Sequence, residues 1–171
     1  MPPLHSGLVI EPLDKKRHDR AAFSCGVPEL DIYLQRQAAQ DVEKLAAVVY
    51  VACAKPPEIA GYCTLSQFSI DFVELPEAIA KRLSRYPIVP ATLLGRLAVS
   101  NLSQGQGLGE LLLFDALRRS LDQSVHIASA GVVVDAKDER ADAFYRRYGF
   151  ASTLGKGRRL FLHMKTIEQM F

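Results

Sequence analysis

Two rhythms of apolar and polar positions run along the chain. Residues 8–13 read as a short strand. In FSCGVPELDIYLQRQAAQD, which begins at Phe23, the apolar residues Leu30, Leu34 and Ala38 recur at helical spacing. Pro28 suits the first turn of that helix, and Glu29 and Asp31 suit the positive end of its dipole. AAVVYVACA (46–54) and IAGYCTLSQFSIDF (59–72) are strands joined by the turn KPPE, so they predict an antiparallel hairpin. ELPEAIAKRLSRY (74–86) predicts a short helix, which Pro87 and Pro90 stop.

ATLLGRLAV (91–99) is nearly continuous in apolar residues, as in a strand buried on both faces. GLGELLLFDALRRSLDQ (107–123) is helical, with Leu108, Leu111, Leu112, Ala116 and Leu117 to one side. VHIASAGVVVDA (125–136) predicts another buried strand. KDERADAFYRRYGF (137–150) predicts a helix closed by a left-handed Gly149, and LFLHMKTI (160–167) a last strand completing the sheet. The order is that of an α/β fold: a mixed central sheet flanked by helices, with a strand–helix–strand–helix unit over 91–148.

Length and composition narrow this further. The 171 residues, 49% hydrophobic and 23% charged, predict one globular domain over 1–171. The N-terminal MPPLHSGLVIEPL lacks the charged start and apolar core of a signal peptide, and no run is long enough for a bilayer span. A cytoplasmic protein without membrane attachment is the expectation. Cys25, Cys53 and Cys63 form no CxxC, and His5, His18, His126 and His163 are scattered, so no metal is expected. The net charge is only +2, yet no Asp or Glu occurs from Ala143 to Ile167. That stretch carries Arg146, Arg147, Lys156, Arg158, Arg159 and Lys165. Such a field either attracts a polyanion or is balanced by acids elsewhere in the fold.

The chemistry centres on QGQGLG, residues 104–109, between a buried strand and a strong helix. Small residues at a helix N-terminus let an anion approach backbone N–H groups closely. Two nucleotide loops are excluded. A Walker A loop needs Gly-Lys-Ser/Thr, but Gly109 is followed by Glu110; the glycines follow G-x-G-x-G, not G-x-G-x-x-G. The loop by itself leaves an anion site and a structural turn both open.

The words around the loop extend the picture. LLGRLAV, QGQGLGELLL and, about 40 residues later, AFYRRYGF together strongly resemble the GNAT family of acetyl-CoA-dependent N-acetyltransferases. The family pattern Gln/Arg-x-x-Gly-x-Gly/Ala falls on Gln104, Gly107 and Gly109. The resemblance implies a GNAT fold with acetyl-CoA seated where two parallel strands splay. The segment Gln104, Gly105, Gln106, Gly107, Leu108, Gly109 and Glu110 would hold the pyrophosphate through its amides. Leu97, Ala98 and Val99 would form a bulged strand beside the pantetheine arm, where a backbone N–H polarises the thioester carbonyl. Tyr145 falls on the tyrosine that GNAT enzymes use as general acid, with Tyr148 as second candidate.

FSCGVPELDIYL, GYCTLS, RYPIVPATLLGRLAV, GLGELLLFDAL, VVVDAKDERADAFYRRYGF and LFLHMKTI resemble, more narrowly, the toxin subgroup of this family, from about residue 10 to 167. That resemblance implies acetylation of the free amino group of aminoacyl-tRNA and a block of translation. It also implies neutralisation by a ribbon-helix-helix antitoxin, contact with operator DNA only through that antitoxin, and a homodimer.

Acetyl transfer needs a held donor, a polarised carbonyl, a neutral amine and a protonated leaving thiolate. A phenol, with a reference pKa near ~10, carries the proton needed for the last. An α-amino group, near about 7.7–8.0, is partly neutral already and needs no strong base, whereas a lysine near ~10.4 makes a greater demand. Glu43, Asp135 and Asp138 are conceivable bases that no spacing selects. If the substrate is tRNA, Lys81, Arg82, Arg85, Arg96, Arg146, Arg147, Lys156, Arg158 and Arg159 are the candidate contacts; for Arg96, which interrupts an apolar strand, a buried pair, support of the active site and reach to the acceptor end all stay open. Acetylation of a protein or small-molecule amine, and a non-catalytic module of the same fold, are the competing functions.

Overall fold

The computed structural model describes residues 7–155 and 157–171. Strands β1 (Val9–Pro12), β2 (Val48–Cys53), β3 (Gly61–Asp71), β4 (Ile88–Val99), β5 (Gly131–Asp135), β6 (Ala151–Ser152) and β7 (Arg159–His163) form one seven-stranded sheet in the order β1-β2-β3-β4-β5-β7-β6. The sheet is mixed: β4 and β5 run parallel with Thr92 opposite Val132, and the hairpin of β2 and β3 is antiparallel with Val51 opposite Tyr62. The helices are α1 (Pro28–Ile32), α2 (Ala38–Glu43), α3 (Glu77–Ala80), α4 (Leu108–Ser124), α5 (Glu139–Arg147) and α6 (Met164–Glu168). None is long and apolar enough to cross a membrane.

The chain divides into two compact units, and β3, β4 and α4 each contribute residues to both. The first unit holds 7–66 and Gly95–Ala116. Its core joins Phe23, Tyr33, Leu34, Val49, Val51, Tyr62 and Ala98. Tyr62 is wholly buried, and its hydroxyl donates to the Leu30 carbonyl at 2.7 Å, which meets the polar demand of a buried phenol. Pro28 begins α1, as its fixed φ and missing N–H favour. Between α1 and α2 the backbone widens into a π turn over Tyr33–Gln37.

The second unit holds Gln67–Leu94 and Leu117–Phe171. Its core joins Ile70, Leu75, Val89, Ala91, Val133 and Phe161. Gly131 opens β5 where a Cβ would lie 2.3 Å from the Leu162 carbonyl oxygen, so only glycine permits this approach of β5 to β7.

Several sequence expectations change. β4 packs on both faces toward its end, with Ala98 in one cluster and Leu97 and Val99 in another, but its burial is incomplete: Val89, Ala91, Leu94 and Ala98 are buried, whereas Ile88, Pro90 and Gly95 are exposed. The strand expected from residue 125 begins at Gly131, and Val125 and Ile127 ahead of it are exposed. The helix expected over 74–86 is a 3-10 turn at Phe72–Glu74 followed by the single turn α3. LFLHMKTI changes from strand to helix after His163, and β7 lies between β5 and β6. On α4, Leu113 is buried and Leu111 is not.

Candidate active site

The glycine loop belongs to the first unit. β4 ends at Val99, and the Ser100 amide donates to the Ala60 carbonyl at 2.8 Å. Asn101 then donates its amide to the Ser24 carbonyl, also at 2.8 Å. The Gln104 side chain is a strut: Nε2 donates to the carbonyls of Cys25 at 2.9 Å and Val99 at 3.0 Å, and lies 3.3 Å from Asn101 Oδ1. The sequence places Gln104 in the loop without giving it this task, since Cys25 is 79 residues away. With the side chain committed, the loop backbone is fixed at its base.

Gly105 and Gly107 have φ of 77° and 80°, in the left-handed region that favours glycine. No atom lies within 4 Å of where a Cβ would stand on Gly105. The Leu111 amide donates to Gly107 O at 3.2 Å, so the helix winds directly from the loop. Leu108 and Leu112 are buried against Ala52, with Leu97, Val99 and Ala60 beside them, and this seating fixes the start of α4. The first amides of a helix have no partner within it, and a 17-residue helix presents the positive end of its dipole there. An open loop of left-handed glycines leading into a long helix fits a pyrophosphate.

Arg96 lies in β4, one residue before Leu97. Its guanidinium sits 3.5 Å from the centroid of the Tyr33 ring. The Tyr33 hydroxyl donates to Asp41 at 2.8 Å, and Gln37 Nε2 donates to the other Asp41 oxygen at 2.9 Å. Burial, reinforced by the hydrogen bond to Asp41, raises the Tyr33 phenol to about 12, so it stays neutral and remains a donor. Asp41 is held below the usual carboxylate range, first by the Gln37 hydrogen bond and also by Tyr33 and Arg96.

Tyr145 belongs to the second unit. Asp138 caps α5 by accepting the Ala141 amide at 2.8 Å, and Gly149 closes it with φ of 95°. Tyr145 is buried at 8% exposure between Phe144 and Phe150, with ring centroids 5.2 and 5.4 Å away. Tyr148 is the capping residue at the helix end, half-buried, with the Arg147 guanidinium 5.5 Å from its ring centroid. Of the acids considered as bases, Asp135 takes two hydrogen bonds from Arg159 at 2.8 and 3.1 Å, Asp138 is the cap, and Glu43 is exposed at the end of α2.

The basic residues separate into two groups. Arg146 pairs with Asp142 at 2.5 Å and also bonds Ser152; Arg158 lies 3.8 Å from Glu139; Arg159 joins Asp135 and Glu74. These three are balanced by acids from outside the acid-free stretch. Lys81, Arg82 and Arg85 are exposed, and their side chains form no hydrogen bond or ion pair among the described residues. Lys156 lies outside the described residues. No group of His, Cys, Asp or Glu among the described residues is arranged to hold a metal ion.

The acetyltransferase (GNAT) domain family matches residues 84–164. The chain is 30% identical over 170 residues to a probable toxin TacT of Sinorhizobium fredii, covering 95% of this chain and 94% of that one. It is 32% identical over 132 residues to a tRNA-acetylating toxin of Mycobacterium tuberculosis, covering 77% and 78%. A tyrosine-to-phenylalanine mutant of KacT superposes with a TM-score of 0.89 at 30% identity, over 96% of this chain and 99% of that one. AtaT in complex with acetyl-methionyl-tRNAfMet gives the same values. The chain therefore belongs to the GNAT acetyltransferases, within the group that contains the TacT and tRNA-acetylating toxins.

Proposed function

We propose that the protein is a single-domain toxin that transfers acetyl from acetyl-CoA to the free amino group of aminoacyl-tRNA and so blocks translation. The observation that carries this reading is near full-length likeness to AtaT, a protein solved with an acetylated aminoacyl-tRNA. Acetyl-CoA supplies the activated acetyl group. The backbone from Gln104 to Glu110, with its left-handed glycines and the start of α4, holds the pyrophosphate. Leu97, Ala98 and Val99 line the donor with strand backbone, and an N–H of that strand polarises the thioester carbonyl.

Tyr145 gives its hydroxyl proton to the sulfur as the carbon–sulfur bond breaks and the new carbon–nitrogen bond forms. Its place between two phenylalanines restricts the ring, which suits a donor that must be aimed. Tyrosine is also the residue replaced by phenylalanine in a solved form of KacT. The amine needs no dedicated base to become a nucleophile, because an α-amino group is partly neutral near pH 7–8; the proton it sheds as the amide forms passes to water, and Tyr145 regains its own from solvent.

The partner is an antitoxin of the ribbon-helix-helix type, the active form is a homodimer, and operator DNA is contacted through the antitoxin. Solved complexes of AtaT with AtaR, with AtaR and DNA, and of KacTA with DNA support an antitoxin partner and a toxin–antitoxin complex on DNA. The test incubates purified protein with acetyl-CoA and total aminoacylated tRNA and measures N-acetylaminoacyl-tRNA by mass spectrometry. Acetylated product is expected, and Tyr145→Phe is expected to lower kcat at least about 100-fold while acetyl-CoA binding is retained. Unmodified aminoacyl-tRNA at saturating enzyme and acetyl-CoA rejects the reading; undiminished turnover by Y145F removes Tyr145 as the acid.

A further inference from the structure

Arg96 is a cation set into a largely apolar strand. Its guanidinium lies over the Tyr33 ring, 3.5 Å from the centroid, yet it forms no hydrogen bond and no ion pair among the described residues. The five N–H donors of this fork are thus oriented without being consumed. The surface beneath it is itself fixed. Tyr33 is buried at 6% exposure, stacked on Tyr62 at 6.3 Å and anchored through its hydroxyl to Asp41. Tyr33 also begins the π turn, a local widening of the helix that is frequent at functional sites.

The geometry of β4 says which ligand the fork faces. Side chains of a strand alternate between its faces. Leu97 and Val99 pack with Leu108 and Leu112, the first turns of α4 after the glycine loop. Ala98 packs in the other cluster, with Phe23 and Tyr33, and Arg96 lies over Tyr33 on that same face. The fork and the start of α4 therefore lie on opposite faces of one strand. A phosphate met by Arg96 is therefore set apart, by the thickness of the strand, from one held at the first amides of α4.

We propose that Arg96 is the residue that engages a phosphodiester at the acceptor end of the aminoacyl-tRNA, on the face of β4 opposite the first turns of α4. A planar, stacked guanidinium fits two oxygens of one phosphate, and a phosphate fixed there sets how far the terminal aminoacyl ester reaches toward Leu97–Val99. The assignment rests on the aminoacyl-tRNA reading above and selects one contact among its basic candidates.

Steady-state kinetics with total aminoacylated tRNA test it, using wild type, Arg96→Gln and Arg96→Lys. R96Q is expected to raise KM for aminoacyl-tRNA about 10- to 100-fold. Its kcat and its KM for acetyl-CoA stay within about twofold of wild type. R96K, which keeps the charge but not the fork, falls between the two and serves as the deciding variant if R96Q loses its fold by circular dichroism. On an aminoacyl ester of adenosine, which has no phosphate, variants and wild type act equally. An unchanged KM for aminoacyl-tRNA overturns the assignment, as does an equal loss on the phosphate-free ester. A raised KM for acetyl-CoA gives the phosphate to acetyl-CoA and overturns it too. Wild-type protein that acetylates no aminoacyl-tRNA rejects the toxin reading itself, whereas active wild type with unaltered R96Q rejects only the role of Arg96.

Discussion

His163 ends β7 and begins α6, where its Nδ1 accepts the Lys165 amide at 3.0 Å. Its Nε2 is buried and has no hydrogen-bond partner among the described residues. A ring that accepts through Nδ1 and is shut off from water is held in the neutral form with the proton on Nε2. Burial lowers its pKa from 6.5, and the cations Arg82 and Lys165 lower it further. The unfolded chain therefore binds a proton near pH 6.5, where the folded chain still resists it. Stability is full above that pH and falls as pH drops through it toward the folded value. The thermal midpoint of wild type is expected to decrease from pH 7.5 to 5.5. His163→Asn keeps a capping side chain and removes the titration, so its midpoint should decline less over the same interval. Parallel curves for the two proteins would show that another group governs the acid limb. This burden could not be read from LFLHMKTI, because periodicity makes residue 163 one more strand position and does not reveal the turn into helix. Tyr145 was easier, since a motif fixes its place; the aromatic pair that confines it was visible only as neighbouring letters.

The unit from β4 through the glycine loop into α4 shows what elements disclose before folding. A strand, a glycine-rich break and an amphipathic helix were all legible, because apolar period and backbone-permissive residues act locally. The long-range contacts were not: Gln104 meets Cys25, and Gly61 leaves room for the Ala98 carbonyl, where a Cβ would stand 2.9 Å away. The π turn was also hidden, since one widened turn hardly disturbs the spacing of Leu30, Leu34 and Ala38. Residues 125–130 misled for the opposite reason: their apolar letters suggest a strand, but Val125 and Ile127 face solvent. Gly105 gives the element-scale test. The space around it is open, so a substitution meets only the backbone cost of a positive φ. Gly105→Ala is expected to lose about 1–2 kcal/mol of stability in urea unfolding and to weaken acetyl-CoA binding by calorimetry. Gly105→Asn, which tolerates the left-handed region better, should lose less of both. Equal behaviour of the two variants would mean that the loop does not depend on this conformation.

Across the whole molecule, the charge of the sequence and the charge available to a polyanion are different quantities. The acid-free stretch from Ala143 to Ile167 looks like a continuous basic face. Folding brings Asp142 to Arg146, Glu139 to Arg158, and Asp135 with Glu74 to Arg159, so three of the candidate tRNA contacts are paired. Lys81, Arg82, Arg85, Arg96 and Arg147 form no ion-pair contact among the described residues, although the charge of Arg96 is felt by Asp41. Each phosphate neutralised releases counterions and adds about 0.7–0.9 to the slope of log affinity against log salt. If all the basic candidates engaged RNA, the slope would be about −6 to −8. With only the unpaired ones and Lys156, it should be about −4 to −5.5. Binding of fluorescently labelled aminoacylated tRNA to the Y145F protein, measured from 50 to 300 mM salt, distinguishes these ranges. The same experiment sorts the residues: Arg85→Ala should reduce the slope by about one, whereas Arg158→Ala should leave it unchanged. A slope near −7, with Arg158→Ala as costly as Arg85→Ala, would mean that the ion pairs open when RNA binds and that the sequence, not the folded charge map, describes the surface the RNA meets.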